Sequence, residues 1–411
     1  MPPTPRTKTG TKKLSEVAKH LVLPSGIVST GWPAVRDQCR KMGVRHDEWQ
    51  AGLGRAMLAK RASGLYAAGI GGIIISICRQ VGKTFTIGSI IFALCIIFPK
   101  LTVIWTAHHS RTSNETFESL QGFAQKRKVA PHIRQIRRVN GQQQITFKNG
   151  SRIMFGARES GFGRGFAGVD VVVADEAQIL GNKALEDMVP ATNASKNPLI
   201  ILMGTPPRPV DPGEAFRTRR NEAIELKKLA AAGEDTESDM LYVELGADPD
   251  ADLDDWDQVA KANPSYPHRT PREAILRNRK NLADDDSYRR EGLGIWDDDR
   301  DTAKGIPTKL WTDSAVDEPL DGAPAYGVSF SASGVRMALA AATVEGEWAF
   351  LEQLDADEGA LEDGMKSLAA WFAKKDEAGH ARWRRSRGIA IAGSAHAPAL
   401  KQLLRQQGVP G

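Results

Sequence analysis

The sequence predicts an α/β protein whose first domain is built on a parallel, nucleotide-binding sheet. Three short apolar runs, at residues 73–77, 171–174 and 199–203, have the length and composition of buried strands. Each run is followed by polar or glycine residues. Ligands of parallel sheets bind outside the carboxyl ends of the strands, so these residues are expected to converge on one site.

The first run leads into a phosphate-binding loop. Residues 79–84 read Arg-Gln-Val-Gly-Lys-Thr, and the apolar segment 85–98 that follows is predicted to be a helix. This order turns backbone amides and the positive helix end toward phosphates. The general pattern wants a glycine where Ile77 stands, so the alternative is a strand and helix with a surface lysine. The predicted ATP-binding residues of the loop are Arg79, Gln80, Val81, Gly82, Lys83, which would reach the β- and γ-phosphates, and Thr84, which would ligate Mg²⁺.

The second run ends in two carboxylates, in the sequence Val-Asp-Val-Val-Val-Ala-Asp-Glu-Ala-Gln at residues 169–178. Asp175 is predicted to hold Mg²⁺, directly or through water, and Glu176 to orient and polarise the attacking water. The alternative is an acidic helix start after a core strand. Both motifs together predict nucleotide hydrolysis.

Two further positions are candidates for contacting the nucleotide. Gln50 lies in a helix predicted from residue 46 to about residue 60, and its amide offers a donor and an acceptor to an adenine edge. The alternative is a solvated helix glutamine. Thr205 ends the third run, where a threonine can sense the γ-phosphate, although a proline-terminated turn would look the same.

Composition favours a cytosolic protein of two or three domains. The chain has 411 residues, a net charge of +5 and a pI near 9.0, which permits a polyanionic partner. The three cysteines, Cys39, Cys78 and Cys95, lack metal-ligand spacing and are interpreted as reduced thiols. The longest apolar run, residues 85–98, suits a buried helix better than a membrane span, and the N-terminus does not read as a secretory signal.

Basic residues cluster at two places, residues 126–138 and 382–387. Such clusters form either a solvated face or a contact with the DNA backbone. The members of the first cluster are Lys126, Arg127, Lys128, Arg134, Arg137 and Arg138.

The chain is predicted to have four parts. Residues 1–45 form a basic arm with short helices, and residues 46–212 the nucleotide-binding core. Residues 213–320 form a helical and acidic lid and linker, including a flexible stretch at 248–257. Residues 321–411 form a unit of three meandering strands, a helix, a fourth strand and a helix, an order that is typical of an opening RNase H-like domain.

On these residues, the chain resembles the large subunit of a tailed-phage terminase, of the type found in actinobacterial phages. The resemblance covers roughly residues 40–411. Its most specific parts are residues 79–84, 164–166, 173–178, 204–206, 262–264 and 288–296.

The resemblance implies an additional-strand, RecA-like P-loop ATPase that packages double-stranded DNA into a procapsid. Such proteins work in the host cytoplasm as a homo-oligomeric ring on the portal, together with a terminase small subunit. In this chain Arg79 would be the loop arginine and Glu176 the catalytic glutamate, while Gly204 and Thr205 would couple hydrolysis to movement. Arg164, with Arg158 as the alternative, would be an arginine finger offered to a neighbouring subunit.

The resemblance also implies a nuclease with two metal ions, Mg²⁺ or Mn²⁺, held by carboxylates. Ser329 and Ala392 stand where aspartates are expected, which leaves Glu352 and Asp355 as partial ligands. The chain also ends at Gly411, before the last expected ligand. The sequence therefore predicts an intact packaging ATPase joined to a partial nuclease unit of doubtful activity.

Two other functions remain open from the sequence. A different DNA-dependent ATPase or translocase would need a second motor domain after residue 210, for which the segment 213–320 is too short. A non-catalytic DNA-binding assembly factor would be expected to have lost Lys83 or Glu176, and both are present.

Overall fold

A computed structural model describes residues 12–163, 165–282, 284–297, 313–316, 320–330, 337–346, 348–354, 364–392 and 397–410. The chain divides into two compact units, Met1–Gly305 and Ile306–Gly411, and each is described by itself. The predicted boundaries at residues 45, 212 and 320 stay predictions. Within the described ranges, no helix is both long and apolar enough to cross a membrane.

The first unit is organised around a nine-stranded sheet with the strand order β1-β11-β4-β10-β9-β5-β8-β7-β6. Its six central strands, β11 to β8, run parallel, while β1 at one edge and β7 and β6 at the other pair antiparallel. The strands are β1 (His20–Val22), β4 (Gly72–Ser76), β5 (Thr102–Ala107), β6 (Ile133–Arg137), β7 (Gln144–Phe147), β8 (Arg152–Ala157), β9 (Val171–Asp175), β10 (Leu199–Gly204) and β11 (Met240–Glu244); β2 (Ser29–Thr30) and β3 (Ala59–Lys60) pair separately.

Helices cover both faces of this sheet. The central strands alternate between two cores, because successive side chains of a strand point to opposite faces: Ile73 and Ile75 belong to one core and Ile74 to the other. The helices are α1 (Leu14–Val17), α2 (Trp32–Lys41), α3 (Glu48–Met57), α4 (Lys83–Ile97), α5 (Ser110–Ala124), α6 (Asn182–Met188), α7 (Glu214–Ala231), α8 (Trp256–Ala262), α9 (Arg272–Asn281) and α10 (Asp285–Leu293).

Helix α4 explains the apolar segment after the phosphate loop. Residues 86–95 are all buried, so the helix is apolar on every side and lies inside the protein rather than on its surface. Helix α2, from the part of the chain predicted to be an arm, packs against it. The helix that follows the loop is therefore fixed in place over most of its length.

Three expectations about local structure are corrected. The segment 271–296, predicted as one helical stretch, is two helices, with Asp284 capping the second. The acidic stretch 248–257 is bonded, since Asp248 accepts hydrogen bonds from Gln258 and Lys261 and Asp255 caps α8. The segment 14–45 contains β1 and β2 in addition to helices.

The second unit is a four-stranded sheet in the order β14-β13-β12-β15. The first three strands form the predicted antiparallel meander, and β15 lies parallel to β12. Two helices pack on one face, where Val328 and Leu339 meet Leu368, Phe372 and Leu400. An RNase H-like assignment stays a prediction. The elements are β12 (Ala325–Phe330), β13 (Met337–Glu345), β14 (Trp348–Leu354), α11 (Met365–Ala373), β15 (Gly388–Ile391) and α12 (Ala397–Gln406).

Candidate active site

A cleft of about 370 Å³ opens where the carboxyl ends of β4, β9 and β10 meet the first turns of α4 and α5. This is the position at which open parallel sheets hold ligands. The cleft brings together residues that lie far apart in the sequence. Those predicted to act at a nucleotide site that line it are Arg79, Gln80, Lys83, Thr84, Asp175, Glu176, Gly204 and Thr205.

The phosphate loop is closed on itself. Gly82 has a φ of 93°, a left-handed conformation that a residue without a Cβ adopts freely, and it begins α4. The ammonium group of Lys83 donates to the carbonyls of Ile77 at 2.7 Å and Cys78 at 3.2 Å. Burial lowers the pKa of Lys83, and the Asp175 carboxylate opposes this effect. The lysine thus lies across the loop that it belongs to.

The acidic pair occupies the end of β9. Asp175 is only 8% exposed, and burial raises its pKa against the opposing charge of Lys83. Glu176 has a left-handed backbone with a φ of 54°. Its carboxylate accepts the backbone N–H of His108 and the hydroxyl of Thr112, each at 3.3 Å. The start of α5 therefore holds this carboxylate at the cleft.

Arg158 supports Glu176 from behind. Its guanidinium donates to the Thr106 carbonyl at 3.2 Å, to the Thr106 hydroxyl at 3.0 Å and to the Glu176 carbonyl at 3.2 Å. Burial lowers the pKa of Arg158 to about 10. These bonds lie within one chain, which argues against Arg158 as a finger offered to a neighbour. Arg164, the preferred finger, lies outside the described residues.

Arg79 forms a two-pronged ion pair with Glu291 of α10 and donates its backbone N–H to the Glu291 carbonyl at 2.9 Å. This pair raises the pKa of Arg79. Residues from the same part of the chain also bond the loop, since Ser265 donates to the Val81 carbonyl at 3.2 Å. The sequence analysis did not assign Ser265 or Glu291 a role. Glu291 lies 212 positions from Arg79, so no local pattern could have paired them.

Gln50 is turned inward. It is 1% exposed, accepts the Asp47 backbone N–H at 2.9 Å and donates to the Thr86 hydroxyl at 2.8 Å. Asp47 is in turn paired with Arg269 at 2.8 Å. The amide predicted to meet adenine is thus occupied within the protein. A role in reading the base stays a prediction and requires Gln50 to leave these partners.

The second unit places Ser329 and Ala392 side by side. The Ala392 N–H donates to the Val328 carbonyl at 2.8 Å, so both positions lie at the neighbouring ends of β12 and β15. Glu352 pairs with Ala341 across the sheet, whereas Ser329 pairs with Ala338, so Glu352 and Ser329 face opposite sides. Asp355 lies outside the described residues. In the part of the chain that is described, no group of three or more His, Cys, Asp or Glu residues could hold a metal ion.

The two basic segments differ in their surroundings. Residues 126–138 form the turn after α5 and the edge strand β6, and all six cationic side chains there are exposed. In the segment 382–387, Arg385 is paired with Asp376 at 2.9 Å, and Arg382 lies over the Trp371 ring. The first segment is therefore the freer of the two for a polyanion.

The sheet, the phosphate loop and the acidic pair define a P-loop ATPase of the RecA-like class. A family model described as terminase large subunit, T4likevirus-type, N-terminal, matches residues 74–303, more than half of the chain. The chain belongs to this family, the terminase large subunits, which form the motors of phage DNA packaging. No curated protein matches it.

Solved structures give the same fold. The large terminase of bacteriophage HK97 is 14% identical with a TM-score of 0.55, covering 92% of this chain and 83% of that one. The large terminase of a thermophilic bacteriophage is 13% identical with a TM-score of 0.37, covering 82% and 76%. The ATPase domain of a Thermus phage large terminase is 14% identical with a TM-score of 0.43, covering 63% and 96%.

Proposed function

We propose that the cleft binds ATP and hydrolyses it to drive double-stranded DNA into a viral procapsid. The observation that carries this proposal is the convergence of the phosphate loop, the acidic pair and the end of β10 on one cleft. Among the solved structures, one large terminase is described in complex with ADP and another in complex with ATP-γ-S. Nucleotide in this chain would occupy the corresponding edge of the sheet.

The loop residues would bind the phosphates. Backbone N–H groups around Gly82 and the start of α4 face the cleft, and Lys83 would exchange the carbonyls of residues 77 and 78 for β- and γ-phosphate oxygens. Arg79 would exchange Glu291 for the same phosphates. Each exchange replaces a bond inside the protein with a bond to the ligand, so little hydrogen bonding is lost on binding.

Thr84 and Asp175 fit a magnesium site. A hydroxyl and a carboxylate are the hard oxygen ligands that Mg²⁺ prefers, and a cation would favour the charged form of the buried Asp175. Bound Mg²⁺ would neutralise charge on the phosphates. Glu176 would polarise the attacking water, held at the cleft by His108 and Thr112.

The remaining assignments follow from the family. Arg164 would stabilise transition-state charge in a neighbouring subunit of a homo-oligomeric ring. Gly204 and Thr205 would couple hydrolysis to movement, and the ring would work with the portal and a small subunit in the host cytoplasm. Residues 46–212 would be the motor, 213–320 the lid and linker, and residues 1–45 a basic arm.

The second unit, residues 321–411, would be an RNase H-like unit with impaired nuclease activity. Its strand order and the pairing of β12 with β15 support the fold, and Ser329 and Ala392 at the paired strand ends support the impairment. A serine hydroxyl and an alanine methyl cannot replace two carboxylates as ligands of Mg²⁺ or Mn²⁺.

The proposal is tested by ATP hydrolysis with and without double-stranded DNA. We expect Lys83→Ala to abolish binding of an ATP analogue, because no other side chain in the loop can reach the phosphates. Glu176→Gln should retain binding and lose hydrolysis. Matched controls are Lys183→Ala and Glu186→Gln, both exposed on α6 and outside the cleft. Hydrolysis that survives Glu176→Gln would contradict the proposed site.

A further inference from the structure

Gln178 is a buried side chain at the cleft with an unused hydrogen-bonding atom. It lies in the short 3-10 helix Ala177–Ile179, immediately after the acidic pair. The side chain is 6% exposed and lines the cleft, and its amide oxygen Oε1 has no hydrogen-bond partner. A buried polar atom without a partner is costly, so native proteins keep few of them away from functional sites.

The surrounding backbone fixes this side chain in place. A Cβ at Gly204 would collide with Oε1 of Gln178, and a Cβ at Gly213 would collide with its carbonyl oxygen. Two glycines from the end of β10 and from the loop after it thus leave room for this one amide. The orientation of Gln178 is set by packing rather than by a hydrogen bond of its Oε1.

Thr205 is the second unpaired group beside it. Its side chain is 3% exposed, it lines the same cleft, and its hydroxyl has no hydrogen-bond partner. An amide oxygen can only accept a hydrogen bond, whereas a threonine hydroxyl can donate one. Phosphate oxygens therefore suit Thr205, and Gln178 Oε1 requires a ligand that carries a hydrogen, such as water.

We propose that Gln178 accepts a hydrogen bond from the attacking water, while Thr205 donates to the γ-phosphate. Glu176, two positions before Gln178, would take the proton from the same water, so its two hydrogens would be directed to two acceptors. The water would then be oriented toward phosphorus before attack. Orienting this water is how a glutamine serves in other phosphoryl-transfer sites. This inference rests on the proposed ATP hydrolysis.

The test is Gln178→Met, which keeps the side-chain volume and removes the acceptor. We expect kcat for ATP to fall by about tenfold to a hundredfold, as for the loss of one group that positions the reacting water. KM and the affinity for a non-hydrolysable ATP analogue should stay within about twofold, because the interaction forms only on the way to the transition state. The affinity for ADP with aluminium fluoride should fall as kcat does.

The matched control is Gln143→Met. Gln143 is also 6% exposed, but it lies outside the cleft and its amide is bonded to Asn114 at 2.7 Å. This variant should keep the kcat of the parent. If Gln178→Met does not fold, Gln178→Asn tests the same reach, since it keeps an amide and withdraws it by one methylene.

Two results would overturn the inference. One is an unchanged kcat in a folded Gln178 variant. The other is a loss of kcat matched by an equal loss of affinity for the ATP analogue, which would indicate a structural role. Glu176→Gln separates the two proposals: if that variant hydrolyses ATP, the proposed site itself fails, whereas a dead Glu176→Gln beside a fully active Gln178→Met refutes only the role of Gln178.

Discussion

At the scale of single residues, the catalytic geometry depends on one unusual backbone position. Glu176 is a non-glycine residue with a φ of 54°, a conformation that is uncommon for residues with a Cβ. Arg158 bonds its carbonyl, while Asp175 accepts its N–H at 3.0 Å. These bonds compensate for the cost of the left-handed conformation and turn the Glu176 side chain toward α5.

Arg158→Met is expected to lower both stability and activity. Removing the guanidinium leaves the Thr106 and Glu176 carbonyls without these donors, which should reduce the free energy of unfolding by about 1–3 kcal/mol. ATP hydrolysis should fall because Glu176 is no longer held. Urea unfolding and kcat measure the two effects, and Arg152→Met, at an exposed position of β8, is the control. Unchanged stability with lost activity only in mixed rings would instead make Arg158 a finger for a neighbour.

Residue-scale predictability follows from how local each signal is. The loop and the acidic pair could be found because their chemistry is written in consecutive residues after apolar runs. The inward turn of Gln50 also had a local signal, since Asp47 and Gln50 have the spacing of a capping box, which the structure forms. The unpaired amide of Gln178 had none, because its isolation results from glycines that follow it by 26 and 35 positions.

At the scale of elements, the sequence predicts the buried strands and fails at the edges. Strands β4, β9 and β10 are continuous apolar runs, which is the pattern of strands covered on both faces. Strand β1 is three residues long and pairs with β11, whose sequence lies more than 200 positions away. Strand β6 is rich in basic residues, a composition that suits an unpaired edge and hides the strand signal.

Helix α10 is expected to compete with ATP for the loop. Glu291 holds Arg79 in a pair that must open before Arg79 can reach a phosphate. Because the Arg79 side chain is 61% exposed, the pair contributes at most about 1 kcal/mol. Glu291→Gln should therefore tighten binding of an ATP analogue by up to about fivefold, whereas Arg79→Ala should weaken it. Analogue titration measures both.

The control for this experiment is Glu273→Gln, an exposed carboxylate on α9. Its affinity for the analogue should equal that of the parent. If Glu291→Gln bound the analogue more weakly, Glu291 would be a positioning group for the bound state rather than a competitor.

At the scale of the whole molecule, the two units carry different amounts of chemistry. The first unit contains an acidic pair, a lysine and an arginine at one cleft. The second presents a serine and an alanine at the paired strand ends. The likeness to the HK97 large terminase covers 92% of this chain at 14% identity, so it shows the fold, and residue roles must come from the site geometry. A fold can persist after the ligands that give it a reaction have been replaced.

We therefore expect the purified chain to leave plasmid DNA uncut in Mg²⁺ or Mn²⁺ while it hydrolyses ATP in response to DNA. Metal ions in such nucleases act through shared carboxylates, and strand ends without them cannot hold two cations close together. Lys83→Ala should not alter the result, because it changes only the ATPase cleft. The double variant Ser329→Asp, Ala392→Asp puts two carboxylates at adjacent strand ends and should gain Mn²⁺ binding, measurable by calorimetry. Robust metal-dependent cutting by both the parent chain and Lys83→Ala would mean that other carboxylates of this chain form the nuclease site.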